Sequence, residues 1–170
     1  IIMMLLEGIK DTLYMTLTST LIGYVIGLPM GILLTVTDKD GIHPNTAVYK
    51  VLDVIANLIR SVPFLILLIV LIPFTRFLIG RSYGPTATIV PLVIAAAPYI
   101  ARMVESSLKE VDAGVIEAAR SMGASNFTIV TKVMLVEART SLIVGATISL
   151  GTILGYSAMA GTVGGGGLGD

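Results

Sequence analysis

The chain has 170 residues, of which 55% are hydrophobic and only 13% charged, with a mean hydropathy of +0.93. Soluble domains carry about 25% charged residues, so this composition excludes an ordinary soluble fold and points to an all-α integral membrane protein. Eleven Lys and Arg balance eleven Asp and Glu, which removes electrostatic support for a nucleic-acid partner. With no cysteine and one histidine, His43 in a polar stretch, neither disulfides nor a metal site is expected.

The charge deficit falls in runs: residues 12–37, 61–75, 82–101 and 140–169 contain no charged side chain. About 20 apolar residues cross the hydrocarbon core. Three runs reach that length, and the shorter one does so when the mostly apolar stretch from Val54 is added. Four spans are therefore expected, about 12–37, 54–75, 82–101 and 140–160, in one transmembrane domain covering 1–170. In the first span Ser19, Gly23, Gly27 and Gly31 recur every four residues, a spacing that lets a neighbouring backbone approach closely. Pro29 should bend its second half. A polar loop, Asp38–Lys50, follows. The second span opens amphipathically, with Asp53, Asn57 and Arg60 on one stripe, and Pro63 lies near its entry to the membrane. Pro91 and Pro98 in the third span require neighbours to satisfy freed carbonyls, so that helix should lie among others.

Residues 102–139 break the pattern, with five of the eleven Lys and Arg residues among acids and short apolar stripes. Placing this segment in the cytoplasm obeys the positive-inside rule. Alternation then puts the N-terminus and the 76–81 turn outside. Lys39, Lys50, Arg60, Arg102, Lys109, Arg120, Lys132 and Arg139 become cytoplasmic, against Lys10, Arg76 and Arg81 outside. The last span again has small residues four apart, Ser141, Gly145 and Ser149, then Gly151 and Gly155. Gly164–Gly167 reads as a flexible connection and not a phosphate loop, because no Gly-Lys-Ser/Thr follows. The chain starts at Ile1 and stops just after this glycine run, so a fifth helix is expected beyond Asp170.

Within the cytoplasmic segment, Asp112 is placed to cap a short helix on which Val115, Ala119 and Met122 share a face. Gly123 stands where that helix should end in a left-handed residue. Ser125 or Asn126 can cap a second helix carrying Ile129, Val130 and Val133. The pattern is a helix, a tight turn and a helix, equally compatible with a partner's groove and with the membrane surface.

The stretch Glu117-Ala118-Ala119-x-x-x-Gly123, with Val133-Met134-Leu135 after it, resembles the coupling-loop signature of ABC-type importer permeases. Val136 stands where that family usually has proline. Arg60-Ser61-Val62-Pro63-Phe64 is similar to an element of its amino-acid permeases. The stretches Ala97–Glu105 and Gly155–Gly161 look like its methionine-uptake branch, and together these motifs cover nearly the whole chain. The resemblance implies a polytopic helical bundle in a bacterial cytoplasmic (inner) membrane, five helices per subunit with the N-terminus outside. It also implies a methionine (D/L) pathway formed by two copies of the subunit. Further implied partners are two ATP-binding subunits and an extracytoplasmic methionine-binding lipoprotein. The chain itself would be no enzyme and hold no cofactor, ATP being used by the partner.

In that picture the loop at about 103–139 couples the ATPase to the pathway. Glu117 is its polar contact with the ATPase, Ala118, Ala119 and Gly123 give close fit, and Arg120 and Met122 complete the set. Met159 is the candidate gate, and Ser61, Pro63, Tyr99 and Ser157 are candidate lining residues. No span carries an ionisable side chain in its core, which speaks against a proton-coupled carrier and for energy supplied from outside the membrane. The rival readings are a permease of the same class for another amino acid, and a passive channel or scaffold. Restored growth on limiting methionine separates the first, and co-purification with an ATPase the second.

Overall fold

The computed structural model describes residues 1–170, and every regular element in it is helical. Helix α1 spans Ile2–Thr37, α2 Thr46–Ser61, α3 Phe64–Val70, α4 Ile72–Ile79 and α5 Gly84–Lys109. A short α6 covers Ala113–Ser121. After it come α7, Asn126–Thr128, a π-helical segment at Ile129–Met134, α8 at Leu135–Glu137 and the long α9 at Arg139–Gly161. Three helices, α1, α5 and α9, are long and apolar enough to cross a membrane, and α2 with α3 makes a fourth only if joined through a bend of 102°.

Helix α5 is the axis of the bundle. It is two-thirds buried along its most apolar window, against one-third for α1 and about a fifth for α9. The stripe of small residues on α1 explains how α1 comes so close. A Cβ added at Gly27 would lie 2.8 Å from the Ala97 carbonyl oxygen, and one at Gly31 would lie 2.6 Å from that of Ala101. Gly23 meets Ile100 and Ala96, so positions 23 to 31 pair with 96 to 104 in the same order and the two helices run parallel. Helix α9 runs the other way. Its Ser149 hydroxyl lies 3.4 Å from Met103 Sδ and its Thr152 hydroxyl 3.3 Å from the Tyr99 hydroxyl, while Ala160 and Gly165 lie beside Thr88. These directions agree with the alternation read from the charges.

The boundaries differ from the expected spans in physically instructive ways. Helix α1 begins at Ile2, because the charged residues Glu7, Lys10 and Asp11 are tolerated on exposed helix outside the apolar run. Helix α5 continues past Ala101 to Lys109, since its charges there are paired. The second span is not continuous: Pro63 cannot extend α2, and the chain turns sharply at Val62–Pro63 before α3. The glycine run is not a loose connector. Gly164 accepts a hydrogen bond from Gly84 N at 2.9 Å, Gly165 one from the Thr88 hydroxyl at 3.2 Å, and Leu168 N donates to the Thr12 hydroxyl at 2.9 Å. It packs against the start of α5 and against α1 at Gly8–Met15, and a Cβ at Gly167 would sit 2.6 Å from Thr12 Oγ1.

Candidate functional site: the cytoplasmic coupling turn

Asp112 accepts a hydrogen bond from Gly114 N at 2.9 Å and so starts α6 as a cap should. The helix ends where the spacing predicts, with Gly123 at φ +86° and Ala124 N bonded to the Ala119 carbonyl at 3.1 Å. An L-residue is strained at that angle. No atom lies within 4 Å of where a Gly123 Cβ would stand, so the turn is open to approach. Ser125 caps the next helix, accepting from Thr128 N at 3.3 Å.

The faces of α6 differ from the expectation. Ala119 is buried and Ile116 half-buried, whereas Val115 and Met122 point outward, Met122 being 84% exposed. The inward face therefore runs through Ile116 and Ala119, and Val115 and Met122 do not share it. Glu117, Ala118, Ser121, Met122 and Gly123 form one exposed surface, extended by Phe127 at 78% exposure. Ala119 is not on it and instead seats α6 on the π-helical segment, whose Ile129 and Met134 are buried. Arg120 Nη2 donates to the Ile42 carbonyl at 3.1 Å, tying α6 to the loop between α1 and α2. Val136 is exposed and the chain stays helical through it. The break comes at Ala138, φ −87° and ψ 2°, so the turn into α9 needs no proline at 136.

Beneath the turn lies a chain of charges. Arg102 bonds Asp53 and Asn57 of α2 and, at 3.0 Å, Glu105 of its own helix. Lys109 Nζ lies 2.7 Å from Asp38, 3.4 Å from Glu105 and 6.0 Å from the Tyr49 ring centroid. The Lys109 ammonium holds the Asp38 carboxyl below its ordinary range. Sequence spacing points to the Arg102–Glu105 pair; Asp53 and Asp38 come from other elements and are not legible from it. The network fastens α2 and the α1–α2 loop to the end of α5, the loop on which Arg120 rests.

The expected pathway residues lie on α5, on α9 and at the α2–α3 break. Ser157 is buried and donates to the Leu154 carbonyl at 2.6 Å, within α9. Ser61 is exposed and donates to the Asn57 carbonyl at 2.6 Å. Pro63 is exposed at the α2–α3 break. Tyr99 is half-buried, between α2 and α9, and Met159 is 44% exposed on the outer half of α9.

The sequence profile described as "Binding-protein-dependent transport system inner membrane component" matches residues 12–170. The D-methionine transport system permease protein MetI of Salmonella typhimurium is 52% identical over 158 residues, covering 93% of this chain and 73% of the relative. The probable D-methionine permease of Vibrio cholerae is 47% identical over 167 residues, covering 98% and 74%. A chain of the inward-facing MetNI methionine ABC transporter superposes with a TM-score of 0.97 at 52% identity, covering 99% of this chain and 78% of that one.

Proposed function

The chain belongs to the family of binding-protein-dependent transport system inner membrane components, and we propose that it is the membrane-spanning subunit of an ATP-driven methionine importer. The observation that carries this reading is the likeness, over nearly the whole chain, to permease subunits named for D-methionine transport and to the methionine transporter's own structure. The pathway would form between two copies of the subunit, in a bacterial inner membrane. Each copy would present α6 to one of two cytoplasmic ATP-binding subunits, which carry out hydrolysis. An extracytoplasmic binding lipoprotein would deliver the amino acid. Counting the bent α2–α3 pair as a span gives four, and the greater length of the relatives leaves room for a fifth.

The geometry of α6 suits the coupling role. Its outer surface is small at Ala118 and Gly123, so a groove can close over the backbone, and Glu117 supplies a charge at the rim. Its inner side is held by Ala119 and by Arg120, so a pull on α6 reaches the π-helical segment and the α1–α2 loop. Through Lys109–Asp38 and Arg102–Asp53 it reaches α5 and α2. The test is uptake of radiolabelled methionine by proteoliposomes holding the full complex with its binding protein. Accumulation that requires ATP supports the reading; equilibration without ATP would leave a channel.

A further inference from the structure

Arg60 is a cation that the coupling account leaves unused. It stands on the last turn of α2, just before the 102° break into α3. Its neighbour Arg102 is saturated by Asp53, Glu105 and Asn57. Arg60 pairs with no carboxylate and makes no side-chain hydrogen bond, although a guanidinium carries five donors.

Two cavities meet at this residue. One, of about 250 Å³, is bounded by Arg60, Val62, Phe64, Tyr99 and Tyr156; the other, of about 270 Å³, by Arg60, Tyr99, Met103 and Ser141 among others. Arg60 and Tyr99 form the wall common to both. No carboxylate or lysine lines either cavity. The apolar end of the first is built by Phe64 and Tyr156, stacked with centroids 4.6 Å apart, and Thr152 bonds Tyr99 at 3.3 Å to fix its ring. An unpaired fork of donors next to an aromatic slot, at the break of a discontinuous helix, suits a small carboxylate with an apolar tail. Thioethers in particular favour aromatic edges.

Resting on the methionine reading above, we propose that Arg60 binds the α-carboxylate of the amino acid in transit, with Phe64, Tyr99 and Tyr156 holding its side chain. The site is a subsite in the groove between α2, α5 and α9, distinct from the coupling turn and from the expected gate at Met159. Arg60 is exposed in the single chain because the groove opens between α2, α5 and α9, where an amino acid has access.

The experiment is equilibrium binding of radiolabelled L-methionine to the detergent-purified complex without binding protein or nucleotide, with the ATPase subunit alone as blank. Arg60→Ala should weaken binding about tenfold or more, and Arg60→Lys should recover most of the loss. Methioninol, which lacks the carboxylate, should compete poorly against the unsubstituted complex. That arm decides the matter even if Arg60→Ala fails to assemble. Equal binding by Arg60→Ala, effective competition by methioninol, or no binding above the blank each overturns the proposal. ATP-driven methionine uptake by the unsubstituted complex tests the importer reading separately, so uptake without this binding sinks only the Arg60 site.

Discussion

Helices α1 and α9 carry the same sequence signal, small residues at four-residue intervals, and meet opposite fates. On α1 the stripe is filled from within the chain, with the backbone of α5 so close to Gly27 and Gly31 that neither can bear a Cβ. On α9 the stripe divides. Gly145 rests against Met103 at ordinary contact distance, while Gly151 and Gly155 face open space. The spacing reports that a backbone can approach, and says nothing about which molecule supplies it. If two copies form the pathway, as proposed above, the unfilled stretch of α9 is where the second copy would fit, whereas the filled stretch on α1 fixes the subunit's own frame.

Substitutions along the two stripes should separate these roles. Gly31→Val should have the largest effect. Its Cβ would stand 2.6 Å from both the Ala101 oxygen and Val104 Cβ, and a carbonyl cannot swing aside as a side chain does. Overpacking costs about 1–3 kcal/mol where side chains can adjust, and more is expected here. Gel filtration of solubilised membranes should find no monodisperse protein. Gly155→Leu should leave the subunit folded, with an unchanged helical circular-dichroism spectrum, yet lower the yield of dimeric complex. If it unfolded the subunit instead, the open face of α9 would have to be packed. Gly145→Ala should be nearly neutral, since its Cβ would meet Met103 at ordinary contact distances, its Cε at 3.4 Å and its Cβ at 3.9 Å, and alanine gains about 0.5–1 kcal/mol over glycine inside a helix. A small rise in melting temperature is the expected reading.

The parts of this molecule written in local sequence were legible beforehand. Apolar runs place α1, α5 and α9, because bilayer thickness dictates their length. Asp112, Gly123 and Ser125 mark the ends of the cytoplasmic helices, because capping acts over two or three residues. What depends on tertiary contact was not legible. Burial along α6 is one such case: the spacing puts Val115, Ala119 and Met122 on one face, yet only Ala119 is buried, since a nine-residue helix shows too little periodicity to mark which side meets the core. The sharpness of the bend at Pro63 escaped because an apolar run looks alike whether straight or folded at 102°. The partners of Arg102 and Lys109 on other helices, and the tying down of Gly164–Gly167 by Thr12, Gly84 and Thr88, involve residues distant in the chain.

Under the reading proposed above, ATP hydrolysis drives transport through the turn at Glu117–Gly123. The most direct test measures ATP hydrolysis and methionine uptake side by side in proteoliposomes carrying the full complex with Gly123→Asp or Ala118→Glu. Both positions are exposed, so insertion and folding should persist. Asp at φ +86° adds local strain and a charge where nothing now lies within 4 Å. The account predicts normal membrane levels of the subunit, with uptake lost and hydrolysis no longer linked to it. Uptake at the level of the unsubstituted complex in either variant would contradict it.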